Sequence, residues 1–366
     1  MDERGALIAL NMVDGIGSVK LHRLIGRFSC AKDVFSASEN ELRSVEGIGP
    51  ELAAKITSFN ESALDAELKD ASEKNISIIT VLDTSYPALL RDIYDPPPVL
   101  YQYGRPLPEN GLKIGIVGTR QVTEYGRQVV KKLTAEMASS GREISVISGM
   151  AKGVDCIAHN EASRHGIYNA AVLGYGLNLV YPFHAHYTAR EIIKNGCLMS
   201  EFPLNALGLK QNFPRRNRVI SGLSHGCVVV EAGVKSGALI TADAALEQGR
   251  EVFAVPGSVF SEKSAGTNSL IRQGAKAVSC LDDILEEISQ RYERKKNPQT
   301  SGTFLPEGLS EDEKRILAAI GTEKKHIDNI AIESNMDTVK LNSVMTILEM
   351  KGIVRQLAGK NFTRSA

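Results

Sequence analysis

The chain has 366 residues, enough for two or three domains with at least one full hydrophobic core. Hydrophobic residues make up 43% and charged residues 23%, ordinary values for a globular chain. The 43 basic and 43 acidic side chains cancel, so a nucleic-acid partner would have to be held by a local basic patch, because there is no overall excess. Cys30, Cys156, Cys197, Cys227 and Cys280 are scattered and form no CxxC pair, which argues against a disulfide framework or a zinc site and fits a reducing cytosol. No apolar run approaches membrane-spanning length, and the acidic start Met1-Asp2-Glu3-Arg4 lacks a secretory signal, so a cytoplasmic chain with no membrane partner is expected.

Residues 1–75 contain a short repeat. Val13-Asp14-Gly15-Ile16-Gly17 and Val45-Glu46-Gly47-Ile48-Gly49 share one pattern, and each precedes an amphipathic stretch, the first through Ile25 and the second from Pro50 through Ile56. Proline suits a first helical position, where no N–H is needed. The spacing predicts a tandem helix-hairpin-helix (SAM-like) domain, whose glycine turns either meet DNA phosphates or serve packing alone. Only Lys20 and Lys55 lie nearby as cations. Residues 60–75 read as a polar helix, and Tyr86 to Pro98 as a rigid, proline-rich connection.

The pattern changes near Lys113. Ile114–Val117, Ile144–Ser148, Ala170–Leu173, Leu198–Ser200, Cys227–Val230 and Val252–Val255 are short runs apolar on both parities, the mark of parallel strands covered on both faces. They alternate with helical stretches such as Gly126–Ser139 and Ala238–Glu247, predicting a doubly wound α/β sheet over residues 76–288. Residues 289–308, polar and with Arg291, Arg294, Lys295 and Lys296, read as a linker. In residues 309–366, Ser310-Glu311-Asp312-Glu313 is a capping box. Leu341, Val344, Met345 and Leu348 follow at helical spacing, Gly352 ends that helix, and Ile353–Leu357 with Asn361–Arg364 can form a hairpin. Three helices and a hairpin predict a winged helix that reads DNA, docks a protein or is structural.

A doubly wound sheet raises the question of a dinucleotide or ATP. No GxGxxG follows the first strand, Gly174-Tyr175-Gly176 has Leu179 where a third glycine would fall, and no GxxxxGK[ST] occurs, so no cofactor is expected. His159, His165, His184 and His186 lie on separate segments without ligand spacing, and no catalytic triad or metal site is assigned. The strand ends nevertheless carry Gly118-Thr119-Arg120, Ser148-Gly149 with Lys152, Gly174 with Gly176, and Ser200-Glu201. Backbone donors with one Arg and one Lys suit an extended anion, whereas the glycines alone would be explained by tight turns. The densest cationic stretch, read as a surface loop, is Lys210-Gln211-Asn212-Phe213-Pro214-Arg215-Arg216-Asn217-Arg218. An aromatic among cations can stack a base while the cations hold phosphates. The competing reading pairs Arg216 or Arg218 with Glu201 or Glu231 inside the domain.

These segments in their order resemble the DNA-processing protein A family (DprA, also called Smf), most strongly from Tyr86 to Ala275. Phe213-Pro214-Arg215-Arg216-Asn217-Arg218 with Ser221-Gly222-Leu223-Ser224 is the most specific stretch. Ser148-Gly149-Met150-Ala151-Lys152-Gly153-Val154-Asp155 and Ser236-Gly237-Ala238-Leu239-Ile240-Thr241-Ala242 add to it. The resemblance implies an extended Rossmann fold that binds single-stranded DNA as a homodimer and loads the RecA recombinase in natural transformation, with a single-strand-binding protein as a further partner. It implies DNA contacts at Arg120, Lys210 and Phe213, and a dimer surface is expected around Leu270–Ile288. Thr119 stands where Ser is common, and Asn178 where Asp is; neither change removes a cation. The rival reading is a Rossmann-like nucleotide phosphoribohydrolase using Glu231 near Gly233 and Ser236-Gly237.

Overall fold

The two-parity apolar runs become neighbouring strands of one sheet. The computed structural model describes residues 1–179, 185–296, 310–320, 325–334, 336–351, 353–357 and 361–364. They form two compact units, Met1–Gln290 and Arg291–Ala366.

The first unit opens with α1 (Glu3–Met12), α2 (Ser18–Phe28), α3 (Ala31–Ser36), α4 (Glu39–Arg43), α5 (Pro50–Thr57) and α6 (Glu61–Glu73). Both glycine repeats fold as hairpins between helices. Gly15 and Gly47 take φ of +94° and +87°, a region that L side chains avoid. The same backbone bonds recur, Ile16 N to Val13 O at 3.0 Å and Ile48 N to Val45 O at 3.1 Å. The two lysines serve the hairpins themselves: Lys20 Nζ donates to Gly15 O, and Lys55 pairs with Glu51 and Asp14.

The strands are β1 (Ile76–Thr80), β2 (Val99–Gly104), β3 (Leu112–Val117), β4 (Ile144–Ser148), β5 (Tyr168–Leu173), β6 (Gly196–Ser200), β7 (Gly226–Val229), β8 (Glu251–Ala254) and β9 (Lys276–Ala277). Between them come α7 (Ala88–Arg91), α8 (Glu124–Ser139), α9 (Val154–Arg164), α10 (Ala185–Lys194), α11 (Asn212–Gly222), α12 (Gly237–Glu247) and α13 (Ala265–Arg272), with α14 (Leu281–Lys296) after β9. The order is β1-β2-β6-β5-β4-β3-β7-β8-β9, parallel from β6 through β9. This is an extended Rossmann-like, doubly wound sheet. Its extension is antiparallel: β1 pairs with β2 and β2 with β6, so the residues on either side of the proline-rich connection add two strands not among the six expected. Strand parity sorts the core. Ile114, Ile116, Val146 and Val228 meet α8, α9 and α14 on one face, while Val117, Ile147, Val172 and Val229 meet α11 and α12 on the other.

Two expectations change here. Helix α14 runs on through Arg291, Arg294, Lys295 and Lys296, because the apolar period of Leu281, Ile284, Leu285 and Ile288 carries the helix into the charged run, so the stretch read as a linker from Ser289 begins as helix. The same apolar residues, with Leu270 and Val278, are buried in the unit's core, so the stretch expected to form a dimer surface turns its hydrophobic side inward.

The second unit contains α15 (Glu311–Ile320), β10 (Lys325–His326), α16 (Ile327–Ser334), α17 (Thr338–Met350), β11 (Val354–Leu357) and β12 (Asn361–Arg364). Its sheet order is β10-β12-β11, a winged helix. Ser310 N donates to Glu313 Oε2 at 2.8 Å and Glu313 N to Ser310 Oγ at 3.3 Å, the expected capping box. Tyr181-Pro182, His184 and Gly352 lie outside the described residues. Among the described residues no helix is long and apolar enough to cross a membrane, and no three His, Cys, Asp or Glu side chains group as metal ligands.

Candidate nucleic-acid interface

The winding of the sheet reverses between β3 and β7, and in open α/β sheets ligands bind beyond the strand ends near such a reversal. At the end of β3, Gly118 packs so closely that an added Cβ would meet Val154 and, at 3.1 Å, Glu231 O. Thr119 N donates to Glu231 O at 2.7 Å, fixing the turn that leaves the Arg120 side chain exposed. At the end of β4, Ser148 is buried and its hydroxyl donates to Ile116 O at 2.6 Å, so it tightens the sheet and faces no ligand. Met150, with φ of +52°, and Gly153, with φ of +95°, bend the following loop and leave Lys152 exposed. A Cβ on Gly153 would come within 2.7 Å of Arg120 Cα, so the two loops interlock. At the end of β5, Gly174 lies under the Phe213 ring, 3.0 Å from Cδ1 to an added Cβ. Gly176 packs against the Pro203 and Leu204 carbonyls, and its N–H donates to Ala206 O at 2.8 Å.

The cationic stretch is no surface loop: from Asn212 onward it is α11, and a helix sends successive side chains in different directions. Lys210, two residues before the helix, is exposed. Phe213 is half-buried. Arg215 stacks over the Phe202 ring at 5.2 Å and reaches Gly17 of the first hairpin. Arg216 points inward and is only 5% exposed. Its Nη1 donates to Gly149 O at 2.6 Å and to Val172 O, its Nε donates to Asn217 Oδ1 at 3.1 Å, and its Cζ lies 6.0 Å from the Phe213 ring centre. Asn217 in turn donates to Gly237 O at 3.2 Å. Arg218 bonds the Asp95 carboxylate at 3.2 Å, Asp95 O at 2.6 Å, Ser18 Oγ at 3.2 Å and the Glu201 carboxylate. It ties the first hairpin, the proline-rich connection and β6 together. Arg216 and Arg218 are thus removed from the surface set: the Arg218–Glu201 pairing read as the competing possibility is present, and Arg216 faces Asp155 instead of a glutamate.

Asp155, 6% exposed, lies in the first turn of α9. Burial pushes its carboxyl up to about 6, against the opposing attraction of Arg216 and hydrogen bonds from the backbone. Arg120 also bears on this carboxylate, so Asp155, Arg216 and Arg120 form one electrostatic neighbourhood at the ends of β3 and β4. The motif containing Asp155 was legible in the sequence, but its partnership with Arg216 was not, because 61 residues separate the two. Among the described residues, Arg120, Lys152 and Lys210 make no hydrogen bond or ion pair.

Glu231, offered as a catalytic base, is 2% exposed. It accepts from Thr123 N at 2.9 Å and from the Thr123 hydroxyl, holding the N-terminus of α8. Both carboxylate oxygens are occupied by that cap. His159 is buried against Asn169, its Nδ1 2.9 Å from Oδ1.

A family model described as DNA recombination-mediator protein A matches residues 77–289, and one described as DprA winged helix domain matches residues 302–360. The chain is 33% identical over 396 residues to Protein Smf of Synechocystis sp., covering 99% of each. Among solved structures, DNA processing protein A of Streptococcus pneumoniae is similar at a TM-score of 0.66 and 28% identity, over 78% of this chain and 97% of that one. DNA processing protein A of Helicobacter pylori, whose structure concerns its single-stranded DNA binding mode, is similar at a TM-score of 0.52 and 29% identity, over 61% and 98%.

Proposed function

This chain belongs to the DNA recombination-mediator protein A (DprA/Smf) family, and from that premise we propose that it binds single-stranded DNA along the rim formed by the ends of β3, β4 and β5 and the start of α11. Arg120, Lys152 and Lys210 take phosphates, the tight backbone turns at Gly118, Thr119, Gly149 and Gly174 line the path, and Phe213 offers a ring face to a base. The observation that carries this reading is that three exposed cations whose side chains make no hydrogen bond or ion pair among the described residues, Arg120 and Lys152 after β3 and β4 and Lys210 just before α11, accompany a half-exposed Phe213 that lies against buried Arg216. Stacking adds about 1–3 kcal/mol per base, and it requires free base faces, so single strands bind better than duplex.

The chain binds and hands over DNA without chemistry on it, and its partners are RecA recombinase, a second copy of itself and a single-strand-binding protein, in a cytoplasmic DNA-processing role during transformation. The likeness to the Helicobacter pylori protein supports the ligand. The test is a salt-dependent titration of the full chain with oligothymidylate. Arg120→Glu and Lys210→Glu each weaken binding at least tenfold without lowering the unfolding temperature. Wild-type affinity in both variants, or equal affinity for duplex, overturns the proposal.

A further inference from the structure

Beside the rim, a cleft of about 310 Å³ opens between the Arg120 turn with the start of α8 and the Lys152 loop with the start of α9. Arg120, Arg127 and Lys152 border it, and Val122, Cys156 and Ile157 form its walls. We propose that this cleft is a second subsite, which holds one further nucleotide of the bound strand: Arg127 takes its phosphate, next to the one that Lys152 holds at the rim, and Val122 and Ile157 receive its base. This rests on the rim reading and extends the strand's path past Arg120.

Three features select this occupant. The volume is at the small end of the range for ligand sites, about 300–1,000 Å³, so it suits one nucleotide and excludes a duplex. The border carries three cations and no carboxylate, and among the described residues the Arg127 side chain makes no hydrogen bond or ion pair, as is true of the Arg120 and Lys152 side chains. The apolar walls suit a base face rather than a bare inorganic anion, which would need a fully polar lining. Cys156 is a wall, not a nucleophile: its Sγ leans toward Met150 O at 3.5 Å, and burial pushes the thiol up to about 11. The floor is fixed as well. Gly153 interlocks with the Arg120 turn, and Gln121 Oε1 accepts from Lys263 Nζ at 3.0 Å, joining this turn to the loop after β8. Arg127 stands one turn beyond the Thr123 cap, so the Glu231–Thr123 bonds that seat α8 also set where its guanidinium can reach.

The test uses the full chain and oligothymidylates of increasing length, with wild type, Arg127→Ala, the cleft-filling Ile157→Trp, and Lys210→Glu as the reference for the rim. Removing one phosphate contact lowers the slope of log affinity against log salt by about 0.7 on a single strand. Arg127→Ala is expected to show that loss, and Ile157→Trp to reach its affinity plateau with a strand one nucleotide shorter, while both unfold at the wild-type temperature. If both keep the wild-type slope and plateau while Lys210→Glu weakens binding, the subsite is wrong and the rim stands. If Lys210→Glu and Arg120→Glu also bind as wild type, the rim reading falls with it. Thymidine 5′-monophosphate tests a free nucleotide as the source: competition with long strands but not with short ones supports the subsite, and saturable binding that leaves all strands unaffected overturns it.

Discussion

Arg216→Met should be the most damaging single change at the rim, although Arg216 touches no proposed DNA contact except from below. The guanidinium is 95% sequestered, gives two hydrogen bonds to the Gly149 and Val172 carbonyls, and attracts the buried Asp155 carboxyl without an ion pair to it. Methionine fills the space but leaves a buried carboxylate alone and two carbonyls without donors. Each buried carbonyl left without its donor costs about 1–3 kcal/mol. The lone Asp155 carboxyl adds less, since it can take up a proton. With no tryptophan in the chain, unfolding is followed by circular dichroism in urea. The double variant Asp155→Asn with Arg216→Met leaves neither charge unpaired and should recover part of the loss, a coupling visible as non-additivity. A cost below about 1 kcal/mol for Arg216→Met, or strictly additive costs in the double variant, would refute this account of Arg216.

The remaining predictions concern the groups around that pair. Asp155 titrates at about 6 in the fold against a usual 3.8, so the folded chain holds this proton more tightly. Its contribution is fully present below pH 3.8 and lost as pH rises through 6, and the stability of wild type relative to Asp155→Asn should therefore fall by about 3 kcal/mol between pH 4 and 7 in urea titrations. His159 is pushed the other way, down to about 4 from 6.5 by burial, so its contribution is present above pH 6.5 and lost as pH falls through 4; wild type should lose about 3 kcal/mol relative to His159→Gln over that window. Glu231→Ala should destabilise the fold by about 1–3 kcal/mol through the lost α8 cap, and neither form should release base from nucleoside monophosphates; steady turnover by wild type would return Glu231 to the role of base. Gly153→Ala should weaken single-strand binding by displacing the Arg120 turn, whereas Gly141→Ala, also at positive φ but with open space around it, should cost stability and leave binding intact; equal binding by both variants would break the link between Gly153 and Arg120.

What could be read in advance, and what could not, divides by the range of the interactions. The parallel strands were legible because burial on both faces leaves continuous apolar runs, and the hairpins because Gly15 and Gly47 mark turns locally. Strands β1 and β2 escaped because Ile76–Thr80 and Val99–Gly104 flank a proline-rich segment, and the pairing of β2 with β6 joins residues about a hundred positions apart. The charged end of α14 imitated a linker in composition, although the apolar period before it ran straight on. For the site, exposure was the illegible quantity. Arg215, Arg216 and Arg218 look equivalent in a row, yet one helix turn sends them to Phe202, Asp155 and Glu201 in three directions.

That same sorting explains how a chain of zero net charge can hold a polyanion. The carboxylates nearest the rim are withdrawn into the fold: Asp155 faces Arg216, Glu201 is paired with Arg218, and Glu231 is occupied by Thr123. What remains on the surface of the rim and its adjoining cleft is cationic, namely Arg120, Arg127, Lys152 and Lys210. The local field is therefore positive without any excess in the total, and ligand recruitment follows the local field. This gives the salt dependence a value. Four phosphates, at about −0.7 each on a single strand, predict a slope near −3 for log affinity against log salt. If Arg215, Arg216 and Arg218 also turned outward to bind, the slope would steepen to about −5. A measured slope near −5 would mean that the buried arginines leave their carboxylates when DNA arrives, and the division of the α11 cations into structural and binding sets would have to be abandoned.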